Sequence, residues 1–530
     1  MPNDCISYQK SGYFSKLIID YLAEKNELKP LYNHFPTLAN FKFQLAEKQA
    51  NYNSDNRKVL VKALEEQYRN YDLSAATQFN IQKLSESKTF TITTGHQLNL
   101  FTGPLYFLYK IVSVINLCKT LQATYPEYHF VPVYWMATED HDFEEINYFH
   151  FKNVKIKWDK NSTGPVGRLA TSGLEEVYEV FAKDLGVGHY ADELRKLFEE
   201  SYLKHSNLAE ATRYLANALF GDTGLVILDG DDPKLKQLFA PFIEQELVAQ
   251  TSFQKVSETN NNYLSTYDIQ VNPRAINLFY IEDTIRERII FDDNRYFVNQ
   301  TDLSFSPEEL RQLLASHPER FSPNVILRPL YQEVILPNLC YIGGGGEIAY
   351  WLQLKSNFEA FSITFPMLLL RNSVLLATEK QVQKADKLGL RWADLFSDQQ
   401  TLFDQKTKEY SLFNLDFTAQ KAHLQKQFDA LRLMAEQTDK SFAGAVKAQE
   451  VKQIKGLENL EKRLLKAERK VYAEKLERII QLQNELFPNQ SLQERRNNFS
   501  EFYLESGKTL MKKLYQNLDP LSPNFTIITL

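Results

Sequence analysis

The chain has 530 residues, more than one ordinary domain holds, so two or three folded units are expected. Hydrophobic residues make up 43%, charged residues 24% and aromatics 13%, which excludes extensive disorder and predicts a large, ring-filled core. A formal net charge of -6 argues against nucleic acid or an anionic membrane as the main partner, and no apolar run is long enough for a spanning helix.

Residues 12–85 alternate short helical patterns with polar turns. Thr89 to Thr94 is β-branched and aromatic and predicts a buried strand. Gly95 to Pro104 follows as a loop, Leu105 to Leu121 as an apolar helix, and His129 to Ala137 as a second strand that ends in an acidic loop. Strand, glycine-bearing loop, helix and strand make a βαβ unit with parallel pairing. Leu225 to Leu228 is another strand, ending at Asp229-Gly-Asp-Asp232 before a helix from Pro233 to about Gln250. Residues 151–205 read as one insertion and 255–322 as a second, whose centre is an antiparallel meander of 277–281, 288–291 and 296–298. Leu327 to Cys340 reads as a helix with a proline break, and Tyr341-Ile342 leads into four glycines. Glu347 to Phe361 reads as one amphipathic helix and Met367 to Leu370 as a further strand.

From about residue 380 to 487 the composition turns to Lys, Glu, Gln, Leu and Ala. Leu457, Leu460, Leu464, Ala467 and Val471 alternate steps of three and four, the spacing of an a/d seam, and Leu476, Ile479, Leu482 and Leu486 continue it after a slip. With Leu424, Phe428 and Leu431 earlier, this predicts two long antiparallel helices joined near 438–444. The division expected is N-terminal helices and the first half of an α/β core over 1–150, an insertion over 151–205, and the second half of the core over 206–254. A second insertion over 255–322, core completion over 323–379, the helical arm over 380–487 and a segment packing back on the core over 488–530 finish the chain.

Three segments fall where strand-end loops carry chemistry. The first is Thr94, Gly95, His96 and Gln97 with Thr102 and Gly103, where backbone N–H groups and side chains can meet an anion. The second is Asp140, His141 and Asp142 in an acidic turn, offering a base and a partner to fix a histidine tautomer. The third is Gly343, Gly344, Gly345, Gly346 and Glu347 with Tyr350, a glycine run that can form an anion nest or a hinge and is no Walker A loop. Asp229 ends a strand at the same sheet edge, whereas Arg328 and Arg371 are expected to pair with buried carboxylates. Cys5, Cys118 and Cys340 form no CxxC pair, which fits a reducing cytoplasm and no structural zinc, and no metal-ligand set is expected. Residues 1–21 lack the continuous apolar core of a signal peptide.

Taken together, Thr94-Gly-His-Gln97, Phe101-Thr-Gly-Pro-Leu-Tyr106, Glu139-Asp-His-Asp-Phe143, Arg328-Pro-Leu330, Gly346-Glu-Ile-Ala-Tyr-Trp351 and Leu492-Gln-Glu-Arg495 resemble the cysteine ligase family of bacillithiol biosynthesis. That resemblance implies a Rossmann-like parallel-sheet core with two connecting insertions and an antiparallel coiled-coil arm through which two copies dimerise. It implies a carbon–nitrogen ligase in the cytoplasm that joins the carboxyl of L-cysteine to the amine of glucosaminyl-malate, the last step to that low-molecular-weight thiol. ATP or ADP, with Mg²⁺, is the cofactor it implies. The core is similar to that of class I aminoacyl-tRNA synthetases, whose HxGH loop aligns here with Thr93-Thr-Gly-His96; the first His is Thr93, and no KMSKS-like lysine loop is present. On this reading His96, Gln97, Asp140, His141 and Asp142 are catalytic, and Thr94, Gly95, Thr102, Gly103, Asp229, Gly343 to Glu347 and Tyr350 bind substrate or nucleotide. The alternatives are a nucleotidyltransferase on another substrate and a non-catalytic scaffold with a synthetase-like core.

Overall fold

A computed structural model describes residues 4–530. Five parallel strands form the core sheet: β1 (Thr89–His96), β2 (His129–Met136), β3 (Val226–Asp229), β4 (Asn338–Gly343) and β5 (Met367–Leu370). Their spatial order is β5-β4-β1-β2-β3. Thr93 is paired with Val133 on one side and Tyr341 on the other, and Val133 in turn with Val226. Almost every residue of these strands is buried, as a parallel sheet covered on both faces requires, and the apolar, β-branched runs in the sequence meet that demand. The crossover from β1 to β2 is helix α1 (Tyr106–Thr124); α2 (Pro233–Ala249) follows β3, with Asp232 capping its first turn.

The chain order and the spatial order together locate the site. From β1 the sheet grows outward to β3, then the chain returns to lay β4 and β5 on the opposite flank. Between β1 and β4 the order reverses, and in such sheets ligands sit outside the carboxyl ends of the strands at that switch point.

Several sequence expectations are corrected here. The stretch 327–340 is not one broken helix: α3 (Arg328–Ile335) stops before Pro337, and Asn338 begins strand β4, between β5 and the central β1. Pro337 cannot continue a helix, and β1 and β5 offer backbone partners on both sides of the residues that follow. Asn338 is fixed by Glu333 and accepts from Thr91 and Thr93. The expected helix over 347–361 is two, α4 (Gly345–Trp351) and a second over Lys355–Ala360, because Trp351 stacks on Tyr341 and Gln353 turns inward to bond Asn260 and Val271. Gly95 and His96 belong to the end of β1 rather than to the loop.

The two stretches expected as insertions hold different structures. The first holds a hairpin (Tyr148–Phe151 with Val154–Lys157) and helices, the second an antiparallel meander of Leu278–Glu282, Ile285–Asp292 and Arg295–Val298. A further small sheet, unread in the sequence, joins Asp4–Ser7, Asn524–Thr529 and Val374–Ala377, so the last strand lies between the first strand and a mid-chain one.

In the arm, α5 (Thr418–Ala435) and α6 (Lys440–Val471) run antiparallel, matched by ion pairs Lys421–Glu461 and Arg432–Glu450. Asp439 caps α6, so the joint is shorter than expected and Gly444 is helical. Helix α7 (Ala473–Leu486) buries Leu476, Ile479, Leu482 and Leu486 against the main core. The upper seam does not close on the chain itself: Leu460 is 52% and Val471 70% exposed. No helix among the described residues is long and apolar enough to cross a membrane.

Candidate active site

A cleft of about 970 Å³ opens at the switch point. Its floor is the end of β1 and the glycine run after β4, and its walls come from the acidic turn after β2, the strand Tyr148–Phe151, the second insertion and the C-terminal segment. Gly95 lies against Tyr341 and Arg328: a Cβ placed there would stand 3.3 Å from the Tyr341 hydroxyl and 3.7 Å from the Arg328 guanidinium. Glycine at that point lets the two strand ends and the arginine crowd together.

The loop after β1 is held in an uncommon backbone shape. Phe101 (φ 47) and Thr102 (φ 69) both lie in the left-handed region, and Gly103 (φ 61, ψ -133) follows in a conformation that only glycine adopts readily. The surroundings over-determine it. The Phe101 ring packs among Phe149, Phe181, Phe198 and Phe499, its N–H donates to the Tyr202 hydroxyl, and Asn498 donates to the carbonyls of Phe101 and Gly103.

Lys110, on α1, ties the two sides of the switch point together. Its buried ammonium donates to the Gly95 carbonyl at 2.6 Å and pairs with Glu347 Oε2 at 2.6 Å. Burial pushes the Lys110 ammonium down, with Glu347 pulling the other way. Burial also works against the Glu347 carboxylate, but Lys110 and hydrogen bonds from Tyr341 and Gly344 outweigh it and hold the group below its ordinary range. Within the glycine run the Gly344 N–H is spent on Glu347 itself, and the Gly343 carbonyl accepts from Arg371 N–H.

His96 is buried beside Tyr106 and Phe107. Burial, then Lys110 and Arg371, hold its imidazole far below the usual range, so it is neutral at pH 7, and its Nε2 has no hydrogen-bond partner. Gln97 donates to both Asp140 and Glu145 at 2.9 Å, bridging β1's end to the acidic turn. Burial disfavours the Asp140 carboxylate, but Arg286 and the hydrogen bonds from Gln97 and His141 N–H bring it below the usual range.

Of the residues singled out from the sequence, Gly95, His96, Gln97, Gly103, Asp140, Gly344, Gly345, Gly346, Glu347 and Tyr350 line this cleft. The others sit apart from its lining. Thr94 turns into the sheet and donates to the Ile342 carbonyl, Thr102 is buried, and Gly343 ends β4. His141 lies behind Asp140 with Nδ1 2.7 Å from Arg286, and Asp142 is exposed. Asp229 accepts from Thr138 and Asp231 N–H and faces a second groove of about 670 Å³.

Sequence reasoning missed most of the positive charge. Arg274, Arg286, Arg288, Arg328, Arg371, Arg495 and Arg496 line the cleft along with Lys110, against Glu139, Asp140, Glu145 and Glu347, although the chain as a whole is acidic. Arg371 meets the expectation of a carboxylate partner, 2.8 Å from Glu494. Arg328 does not. It is half-buried, bonds the neutral Gln332 and Tyr350, and makes no ion pair among the described residues. The arginines come from four distant parts of the chain; Arg328 and Arg495 fall in the motifs that carry the family resemblance and Arg371 beside an apolar strand, but nothing local marks Arg274, Arg286, Arg288 or Arg496.

Two family models match the sequence: the N-terminal Rossmann-like domain of the bacillithiol biosynthesis protein BshC over residues 1–372, and its C-terminal coiled-coil domain over 374–530. The chain belongs to the BshC family. Relatives named "Putative cysteine ligase BshC" include that of Flavobacterium johnsoniae, 63% identical over 100% of both chains. That of Christiangramia forsetii is 54% identical over 100% of this chain and 99% of its own, and that of Cytophaga hutchinsonii 40% over 98% and 97%. A solved structure titled as a "putative arginyl t-RNA synthetase" from Campylobacter jejuni covers 80% of this chain at 10% identity, but its TM-score of 0.21 carries no argument. The Rossmann-like core and coiled-coil arm read from the sequence are thus those of the BshC family.

Proposed function

We propose that this BshC-family chain is a carbon–nitrogen ligase that joins the carboxyl group of L-cysteine to the amine of glucosaminyl-malate, completing bacillithiol. The observation that carries the reading is an excess of guanidinium groups over carboxylates, seven against four, in the cleft of a net-acidic protein. A buried charge without a partner is costly. Arg328 has no carboxylate partner among the described residues, and Arg371 Nε and Arg496 Nε are buried without hydrogen-bond partners. Such a wall fits anionic ligands, as a malate conjugate and a nucleotide both are.

A carboxylate and an amine at neutral pH form a salt, so the carboxyl must be activated. A nucleoside triphosphate, when bound, would supply that activation. Arg328, Arg371, Arg495 and Arg496 would hold its phosphates, with Gly95 leaving room for close approach. Among the described residues no group of three His, Cys, Asp or Glu side chains is arranged to hold a metal ion; Mg²⁺ would arrive on the nucleotide. His96, neutral and short of a partner at Nε2, would exchange a hydrogen bond with a ligand without adding charge. Asp140 and Glu145, bridged by Gln97, would orient the cysteine ammonium. The exposed seam around Leu460 and Val471 would pack against a second copy, for which a dimer in light scattering is the expected result.

The test is mass spectrometry of the purified enzyme with L-cysteine, glucosaminyl-malate, ATP and Mg²⁺, omitting each in turn. A cysteinylated product that requires ATP is expected. Nucleotide turnover without that product would replace the ligase by a nucleotidyltransferase.

A further inference from the structure

The cleft contains four carboxylates, and they differ in how far their lone pairs are already committed. Both Glu347 oxygens accept hydrogen bonds, from Tyr341 and from Gly344 N–H, and Lys110 pairs with one of them. Both Asp140 oxygens accept as well, from Gln97 and from His141 N–H. Glu145 accepts from Gln97 and is exposed. Glu139 is different. It lines the cleft with its side chain only 12% exposed, and Oε1 lies 2.6 Å from the ammonium of Lys236, a contact that lacks hydrogen-bond geometry.

Lys236 projects from α2 behind the cleft wall and is 1% exposed. Besides Glu139 it reaches Asp231 Oδ1 at 3.2 Å and the Glu319 carbonyl at 3.1 Å. The turn that carries Glu139 is clamped on both sides: Gly167 N–H donates to the Thr138 carbonyl at 2.8 Å and Val166 N–H to the Asp140 carbonyl at 2.7 Å. Glu139 is therefore a fixed carboxylate that lines the cleft and rests against the buried ammonium of Lys236.

We propose that Glu139 is the proton acceptor for the amine that this enzyme acylates, and that Lys236 is the residue that positions it. The assignment rests on the ligase reading above. In the step, the acceptor ammonium gives one proton to the Glu139 carboxylate, and the freed nitrogen pair forms the C–N bond to the activated cysteine carboxyl carbon. The bond from that carbon to its leaving group breaks, the pair departing with the leaving group, and the second nitrogen proton goes to solvent. His96 is a poor rival, because Lys110 and Arg371 oppose any positive charge on its ring.

The groups facing Glu139 are Lys236 from α2, Asp231 from the turn after β3, Arg286 from the meander and the Tyr331 phenol from α3. Burial raises the Glu139 carboxyl above its ordinary range and Asp231 adds to this, while Lys236 and Arg286 oppose it. A base of raised pKa suits an acid limb nearer neutrality.

The experiment measures product formation against pH at saturating cysteine, acceptor and ATP. In the wild type, kcat should rise with pH along a single acid limb above the ordinary carboxylate range. Glu139→Gln should lower kcat by about 100-fold or more, the scale of general-base loss, while KM for cysteine and ATP stays within about threefold. Lys236→Met should move the limb to higher pH, since its ammonium favours the charged carboxylate, and Lys236→Arg should move it back. A Glu139→Gln enzyme with wild-type kcat, or a limb that Lys236→Met leaves in place, overturns the assignment. Should either variant not fold, a wild-type kcat that is flat from about pH 5 to 8 overturns it equally. Wild-type enzyme that makes no cysteinylated product breaks the ligase reading, and the assignment falls with it.

Discussion

The two edges of the core sheet and the helical arm both carry dense charge, but they handle it in opposite ways. At the sheet, Lys48–Glu333 by the amino ends of β4 and β5, and Lys236–Glu139 and Arg371–Glu494 by the carboxyl ends, are buried pairs, and further hydrogen bonds fix several of their atoms. On the arm, Lys421–Glu461 and Lys384–Glu485 lie at the surface, where water does most of the solvation. Removing one partner at the edge strands the other without water, whereas on the arm it does not. Apolar contacts divide in the same way: Leu482 packs into the core, and Leu460 faces outward. Charge at the edge specifies geometry, and charge on the arm keeps a long helix solvated.

The sharpest way to break this contrast is Glu333→Ala, which leaves Lys48 buried and takes an acceptor from Gln332 and Asn338. A loss of about 3–5 kcal/mol in denaturant unfolding of the core is expected. A loss below about 1 kcal/mol would show that water reaches the pair and that the edge behaves like a surface. Leu482→Ala should cost about 2–5 kcal/mol by leaving a cavity. Leu460→Ala, at a position 52% exposed, should leave monomer unfolding nearly unchanged and lower the dimer fraction seen by light scattering. Equal losses at the two leucines would place both in one core.

The smallest effect expected is a pH dependence. His96 titrates in the folded chain far below its unfolded value of 6.5, so below that pH the unfolded chain binds the extra proton. Stability contributed by the neutral ring is present above about pH 6.5 and is lost as the pH falls below it. His96→Gln should flatten that acid slope in unfolding curves measured from pH 7 down to 5; an unchanged slope would mean that the ring is hydrated and not held neutral by burial.

Legibility in the sequence followed the range of the interaction. β1, α1 and β2 were readable because a β-branched run, a glycine loop and an apolar helix are local patterns. β4 was not, since Asn338 to Gly343 becomes a strand only through partners some 250 and 30 residues away in β1 and β5. Half the cleft was similarly hidden. The motif residues His96, Gln97, Asp140 and Glu347 announce themselves at strand ends, but Lys110 lies inside an apolar helix and Arg274, Arg286, Arg288 and Arg496 in unremarkable segments.

By itself the sequence determined the α/β class, the strand-end loops, the helical arm and, through its motifs, the BshC family. Those follow from residue periodicity and turn chemistry, which act over a few neighbours. The tertiary structure alone decided the β5-β4-β1-β2-β3 order, the convergence of arginines on one cleft, the commitment of the Gly344 N–H to Glu347, and the placing of Glu139 against Lys236. Burial and charge pairing depend on what the rest of the chain brings within a few ångströms, and no local pattern encodes that.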